Sequence, residues 1–221
     1  NDVDLVAADE GWAVGSLGTA LHWDGQSWSQ VTTSISGTIS DVQTISTSSA
    51  WAYTWSEVLG VYHGQVLHWD GHEWSATDLA GVTGLPTALA MFSDAEGWLA
   101  TQEGELAHRV GSAWTTVPSP TSAELRGIAI LAEDDAWAVG VDGTLLRWDG
   151  VEWSLEPSPT SPSPTSADLF AVAFSATDNG WSVGDGVILH WDGVSWTSVA
   201  PVDRASAGLA FDVDVLGDTG L

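Results

Sequence analysis

Thirty carboxylates, six histidines, four arginines and two tyrosines are the groups in this chain that could carry chemistry. Four of the histidines, His22, His68, His108 and His190, stand in the same local context, and in one further instance of that context the position holds Arg147. A metal centre would need such imidazoles to converge on one point, whereas equivalent positions of a repeating fold are distributed around it. The pattern therefore predicts hydrogen bonding between strands. No short-spaced His motif, nucleophile elbow or Gly-rich loop opening a helix accompanies these residues. The chain has no Cys, which removes disulfides, thiolate zinc sites and Cys nucleophiles. A pair of carboxylates at the separation a glycosidase needs, roughly 5 to 9.5 Å, is a three-dimensional property that spacing alone does not reveal.

The context those residues share is a repeat. The stretch GWAVGSLGTALHWDGQSW, from Gly11 to Trp28, returns in recognisable form from Ala50, Gly97, Ala136 and Gly180. Aligning the copies sorts the tryptophans into three columns: Trp12, Trp51, Trp98, Trp137 and Trp181; Trp23, Trp69, Trp148 and Trp191; Trp28, Trp74, Trp114, Trp153 and Trp196. Fourteen of the fifteen are thereby placed, Trp55 being the exception. The third column advances by 46, 40, 39 and 43 residues, the period of a four-stranded propeller blade. Within the first copy the strands fall on residues 1–8, 12–15, 19–23 and 28–32, with Asp24-Gly25 as the hairpin turn before the last. A blade packs on neighbours with both faces. An indole there buries about 150 to 250 Å², contributing roughly 4 to 6 kcal/mol gross, and keeps its N–H for a turn carbonyl.

The expected fold is thus an all-β propeller of four-stranded antiparallel blades in one domain, 1–221. Its repeats run at about 1–39, 40–85, 86–125, 126–169 and 170–208. Residues 209–221 read as the first strand of a further repeat, so the ring is five-bladed or part of a six- or seven-bladed one. The third copy, where His108-Arg109-Val110-Gly111 replaces HWDG, is expected to be the least regular. The tract from Pro157 to Ser166, PSPTSPSPTS, reads as an extended loop inside the domain and a candidate for O-linked sugars.

In such a meander the turns between strands one and two and between three and four emerge on one face. That face gathers Asp9, Asp134, Asp135 and Asp178 together with the Asp-Gly turns. Asp is favoured in turns for its own backbone bonding; beyond that, these oxygens suit calcium or a basic partner. The other face receives the Ser/Thr-rich links and the longer connection from Thr54 to Gly64, whose Trp55, Tyr62 and His63 are the candidate contacts for a protein or a glycan.

The formal net charge of −26, with no Lys, excludes nucleic acid as a natural partner. No apolar run has the roughly 20 residues of a membrane helix. The acidic surface, and a first residue, Asn1, that is not Met, lead to the expectation of an exported protein displayed at the cell surface, as part of a larger assembly.

The repeat resembles those of Asp-box-type β-propellers, especially photosystem II stability and assembly factors and secreted bacterial propellers with WAVG and HWDG repeats. The likeness covers essentially the whole chain. Asp24-Gly25-x-x-Trp28 is a shortened form of the Asp-box turn, matched at Asp70, Asp149 and Asp192. The resemblance implies the fold and an assembly or recognition role. Sialidases use Asp-box propellers too, with three arginines and a Tyr-Glu pair. Here Arg109 and Arg147 lie within repeats, Arg126 and Arg204 near links, and Tyr53 and Tyr62 are the tyrosines, which makes no such constellation. The expected function is non-enzymatic recognition of protein partners, with a glycan-binding lectin as the alternative, a glycoside hydrolase behind both, and no cofactor beyond calcium.

Overall fold

A computed structural model describes residues 2–58, 61–79, 81–159, 167–201 and 212–214; at 57–58, 61–63 and 200–201 it describes the backbone alone. Twenty strands form five four-stranded sheets, each a meander in which sequence neighbours pair. The first blade is β1 (Val3–Ala7), β2 (Glu10–Val14), β3 (Ala20–Trp23) and β4 (Trp28–Val31). The second is β5 (Thr38–Ser46), β6 (Ser49–Val58), β7 (Val61–Trp69) and β8 (Trp74–Asp78). The third is β9 (Pro86–Ser93), β10 (Glu96–Thr101), β11 (Leu106–Val110) and β12 (Ala113–Val117). The fourth is β13 (Leu125–Ala132), β14 (Asp135–Gly140), β15 (Leu145–Trp148) and β16 (Trp153–Leu155). The fifth is β17 (Leu169–Ala176), β18 (Asn179–Gly184), β19 (Val187–Trp191) and β20 (Trp196–Pro201). Among the described residues the helical turns are two short 3₁₀ pieces, Ser16–Gly18 and Val141–Gly143. The chain forms two compact units, Asn1–Leu99 with Ala107–Thr116 and Ala100–Leu106 with Val117–Leu221.

The Trp columns build the cores. In the first unit Trp12, fully buried, sits between Trp69 (4.8 Å between ring centroids, 57° between planes) and Trp74 (5.0 Å, 85°). In the second unit Trp137 sits between Trp191 (4.8 Å, 57°) and Trp196 (5.4 Å, 80°). The second and third columns thus form a cradle, and the first column of the preceding blade is the knob that fills it. Edge-on and tilted ring pairs at these distances are favoured by the aromatic quadrupole. The expected use of the indole N–H holds for the second column of three blades, where Trp23 donates to Ala8 O (3.0 Å), Trp148 to Glu133 O (3.2 Å) and Trp191 to Thr177 O (3.1 Å), whereas the buried N–H groups of Trp12, Trp69, Trp74 and Trp196 find no hydrogen-bond partner among the described residues.

The Asp-Gly turns repeat the same bonds four times. Asp24 Oδ1 accepts the backbone N–H of Gln26 and Ser27, Asp70 that of His72 and Glu73, Asp149 that of Val151 and Glu152, and Asp192 that of Val194 and Ser195, all at 2.7 to 2.9 Å. These donors hold all four carboxyls below the usual Asp value. Gly25, Gly150 and Gly193 follow at φ near 90°, where a side chain is strained. A Cβ there would also come within 3 Å of the Asp9, Asp134 or Asp178 side chain. The two acidic turn sets therefore do lie against each other.

Three expectations are corrected. The third blade, expected to be the least regular, completes the same four-stranded meander, with Gly111 (φ 64°) in its last hairpin turn and the Gly111 N–H on Ala95 O at 2.8 Å. The connection from Thr54 to Gly64 is not a loop: it lengthens β6 and β7 into a ribbon paired from Thr54↔Gln65 to Val58↔Val61. Asp212–Asp214, within the expected sixth-repeat strand, is not in a strand. The rest of 209–221, and 160–166 of the Pro/Ser/Thr tract, lie outside the described residues.

Candidate functional site

Three of the four histidines of the repeating column, and the Arg147 that replaces one, are held in the same way. His22 Nε2 lies 2.7 Å from Glu10 Oε1, His108 Nε2 bonds Glu96 Oε1, His190 Nε2 lies 2.8 Å from Asn179 Oδ1, and Arg147 Nε donates to Asp135 Oδ1 at 3.1 Å. The ring also packs on the first-column Trp of its own blade, as in Trp98–His108 at 4.0 Å and Trp12–His22 at 4.8 Å. These imidazoles tie a third strand to a second strand, as the distributed pattern predicts.

The second blade departs, and its departure imitates a hydrolase. Ser49 Oγ lies 3.3 Å from His68 Nε2 and also donates to Asp94 Oδ1, so a serine, a histidine and an aspartate meet. The wiring is not that of a nucleophilic triad. The serine proton goes to the aspartate, which approaches the same ring nitrogen at 3.9 Å instead of orienting the other one. Ser49 is buried, and burial, with Arg109 nearby, lowers the basicity of His68 although the Asp94 charge opposes them. The group is a structural clamp. Asp94 also accepts from Trp51 Nε1 (3.1 Å), and its carbonyl accepts Arg109 Nε (2.8 Å). Arg109 thus makes the turn-carbonyl bond that an indole makes in three other blades.

The arginines are likewise engaged. Arg126 forks onto Glu124 (3.0 and 3.2 Å) and reaches Asp168 at 2.9 Å; Arg147 is paired with Asp135. Arg204 lies outside the described residues. Tyr53 is buried, donates to Thr87 O at 2.6 Å, and has its phenol pushed up by burial and then by the nearby Asp41 and Asp2 charges, the reverse of an activated nucleophile.

Of the acids considered for calcium, Asp135 is paired to Arg147, while Asp9, Asp134 and Asp178 underlie the Asp-Gly turns of three separate blades. Among the described residues no group of three or more His, Asp or Glu could hold a metal ion, and no helix is long and apolar enough to cross a membrane. The half-buried acid that stands out is Asp41, which sequence reading did not single out. Burial and then the charge and hydrogen bond of Asp2 push its carboxyl up to about 8, although backbone N–H donors oppose this.

The concave feature of interest is a cleft of about 250 Å³ on the face with the links. One wall is the link 34–37; the other is Thr54, Ser56 and Gln65 of the ribbon, with Ala76 behind. Link and ribbon touch closely enough that a Cβ on Gly37 would lie 2.6 Å from Trp55 O. Trp55, 38% exposed, alternates with Thr54 and Ser56 and therefore lies on the other face of the ribbon. In register, Tyr62 stands opposite Glu57 and His63 opposite Ser56. Sequence reading found the ribbon through its aromatics and missed the hydroxyls between them, since Ser and Thr are common in every link of this chain.

No family model and no curated protein matches the sequence. Solved structures match the fold. YCF48 bound to D1 peptide is 18% identical over 93% of this chain and 81% of its own, with a TM-score of 0.56. YCF48 from Cyanidioschyzon merolae is 15% identical over 98% and 89%, at 0.58. The WD40 β-propeller domain of Doa1 is 13% identical over 90% and 66%, at 0.66. The chain is a β-propeller, and at these identities the likeness is one of fold.

Proposed function

We propose that this propeller is a non-enzymatic interaction scaffold that binds an extended segment of a partner protein in the cleft between link 34–37 and the β6–β7 ribbon. The observation that carries the reading is the chemistry of the walls. In a chain of net charge −26, every residue lining this cleft is uncharged, with Ser34 and Ser36 on the link and Ser56 and Gln65 on the ribbon, while the Thr54 hydroxyl is taken up by Thr38 O. Such walls suit the alternating donors and acceptors of a peptide backbone, which bonds without regard to sequence while side chains set specificity. One propeller of similar fold is known with a bound peptide, YCF48 with D1 peptide. The reading extends to the Asp-Gly turns as shortened Asp boxes and to an exported setting, which the acidic, lysine-free composition favours.

Screening the purified chain against an array of peptides, then titrating the retained ones by fluorescence polarisation, tests this. Ser36→Trp, which fills the cleft from the link, is expected to weaken binding at least about tenfold, a change of about 1.4 kcal/mol, whereas Asp192→Asn in an Asp-Gly turn leaves it unchanged. Retention of no peptide, or binding indifferent to Ser36→Trp, overturns the assignment.

A further inference from the structure

The turn between β2 and β3 of the first blade carries Leu17, at 86% exposed the most exposed large apolar residue among those described. Leu17 sits at φ 57° and ψ 36°, a left-handed conformation that costs a leucine energy. The fourth blade makes the same turn with Asp142 at φ 56°, and aspartate tolerates this region. Leucine therefore gives the turn nothing that aspartate would not, and it leaves an apolar side chain in water. A single exposed leucine is ordinary on a folded protein. One held against its own backbone preference is not, and strain of this kind collects at ligand contacts.

The position of the turn points to the ligand. Gly18, the next residue, donates its N–H to Gly37 O at 2.7 Å and accepts the Thr33 hydroxyl at 2.7 Å. A Cβ on Gly18 would collide with Ile35 O. Ile35 and Gly37 line the cleft, so a single residue separates Leu17 from the cleft wall. The turn is also fixed from within. Gly15 N–H donates to Thr19 O (2.9 Å), the Thr19 hydroxyl to Ser16 O (2.7 Å) and Ile39 N–H to Gly15 O (3.0 Å). Ile35 packs against the core cluster around Trp12. Leu17 and the link wall are thus tied into one piece of the first unit, with the leucine at the rim of the cleft.

We infer that Leu17 is the specificity contact of the cleft, and that the partner segment lying there carries an aliphatic or aromatic side chain that packs on it. This rests on the assignment of the cleft to a peptide. The hydroxyls of Ser36 and Ser56 suit a backbone and so accept many sequences, whereas an apolar contact at their edge discriminates by side chain. Because the turn is already ordered, packing on Leu17 requires no further ordering of the backbone beneath it.

Peptides retained by the parent chain are titrated by fluorescence polarisation against Leu17→Asp, Leu17→Gly and Leu17→Met, with melting temperatures measured alongside. Leu17→Asp and Leu17→Gly are expected to weaken binding at least about fivefold without lowering the melting temperature, since the turn accepts both residues. Leu17→Met is expected to stay within about twofold of the parent. On the peptide side, changing one aliphatic or aromatic residue to alanine should weaken binding to the parent by a similar factor and leave binding to Leu17→Asp unchanged, which marks a direct pair. Peptides that lose affinity with Ser36→Trp and keep it with Leu17→Asp overturn the contact and leave the cleft standing. Retention of no peptide, or indifference to both substitutions, overturns cleft and contact together. A loss of affinity that follows a drop in melting temperature makes Leu17 a structural residue and overturns the contact as well.

Discussion

Two blade seams bury the same kind of knob by different means. Around Trp137 the cradle from the next blade is made of indoles: Trp191 and Trp196 close on it with Val139, Leu145, Leu169, Val172 and Leu189, while a cation near the ring, Arg147 at 5.3 Å, comes from its own blade. Around Trp51 the cradle is Arg109, whose guanidinium lies 4.4 Å above the ring, and Trp114, with Asp94 bonding the indole N–H. The same seam carries Gln43, whose amide exchanges two bonds with the Met91 backbone (2.5 and 3.2 Å), and Tyr53 on Thr87 O. A flat cation can replace a flat hydrocarbon over a tryptophan because both cover the ring face, and Arg adds a donor where the indole had one. What the repeat conserves from copy to copy of itself is therefore a slab and a donor at a fixed place, and Trp is one way to supply them.

The difference can be broken at either seam. Trp137→Ala is expected to cost about 3 to 5 kcal/mol, the largest loss of those considered, because an apolar cradle is left around a void; urea denaturation of the variant measures it. In the polar seam Arg109→Ala should cost about 1 to 2 kcal/mol through the lost stacking and the unbonded Asp94 carbonyl. Arg109→Trp should recover stability to within about 1 kcal/mol of the parent, since the repeat places an indole there in other blades. If Arg109→Trp is as damaging as Arg109→Ala, the two cradles are not equivalent.

Acidity should separate the seams as well. Asp41 has a folded pKa raised to about 8 from an ordinary 3.8, so between these values the folded chain holds a proton that the unfolded chain has released. Its contribution to stability is full below about pH 4, declines by up to about 1.4 kcal/mol per pH unit, and is gone above about pH 8. Asp41→Asn, which cannot ionise, is expected to flatten that decline in melting curves taken from pH 5 to 8. Its partners in the comparison are Asp2 and Tyr53, which face it from the first blade's leading segment and from β6. The smallest effect belongs to the 3₁₀ turns. Leu17 and Asp142 occupy matching places at φ 57° and 56°, a region Asp tolerates and Leu does not. Leu17→Gly should therefore stabilise by about 0.5 kcal/mol, readable as a small rise in melting temperature, while Asp142→Gly should not.

The blades were legible in the sequence because one unit is written five times. Column spacing located the meanders, and Asp24, Asp70, Asp149 and Asp192 located the turns, since both signals are local: a two-residue side-chain period, and a carboxylate reaching two N–H groups within three residues. The histidine column was legible for the same reason, each imidazole bonding within its own blade. The cleft was not, because Ser36 and Thr54 become neighbours through the meeting of a link with a ribbon, and neither residue differs in type from many others in the chain.

The sequence by itself thus determined strand order, turn chemistry and which tryptophan belongs to which column, all set by interactions over a few residues or across one hairpin. Tertiary structure alone decided how Trp12, Trp51 and Trp137 are cradled, that Ser49, His68 and Asp94 meet in a clamp and not a catalytic relay, and that the Asp41 carboxyl is pushed up by its surroundings. Those outcomes depend on burial and on contacts between blades some forty residues apart in the chain, such as Asp94 with Ser49 and Trp51. Burial sets both the field around a charge and the space around a ring, and no local pattern of residues encodes it.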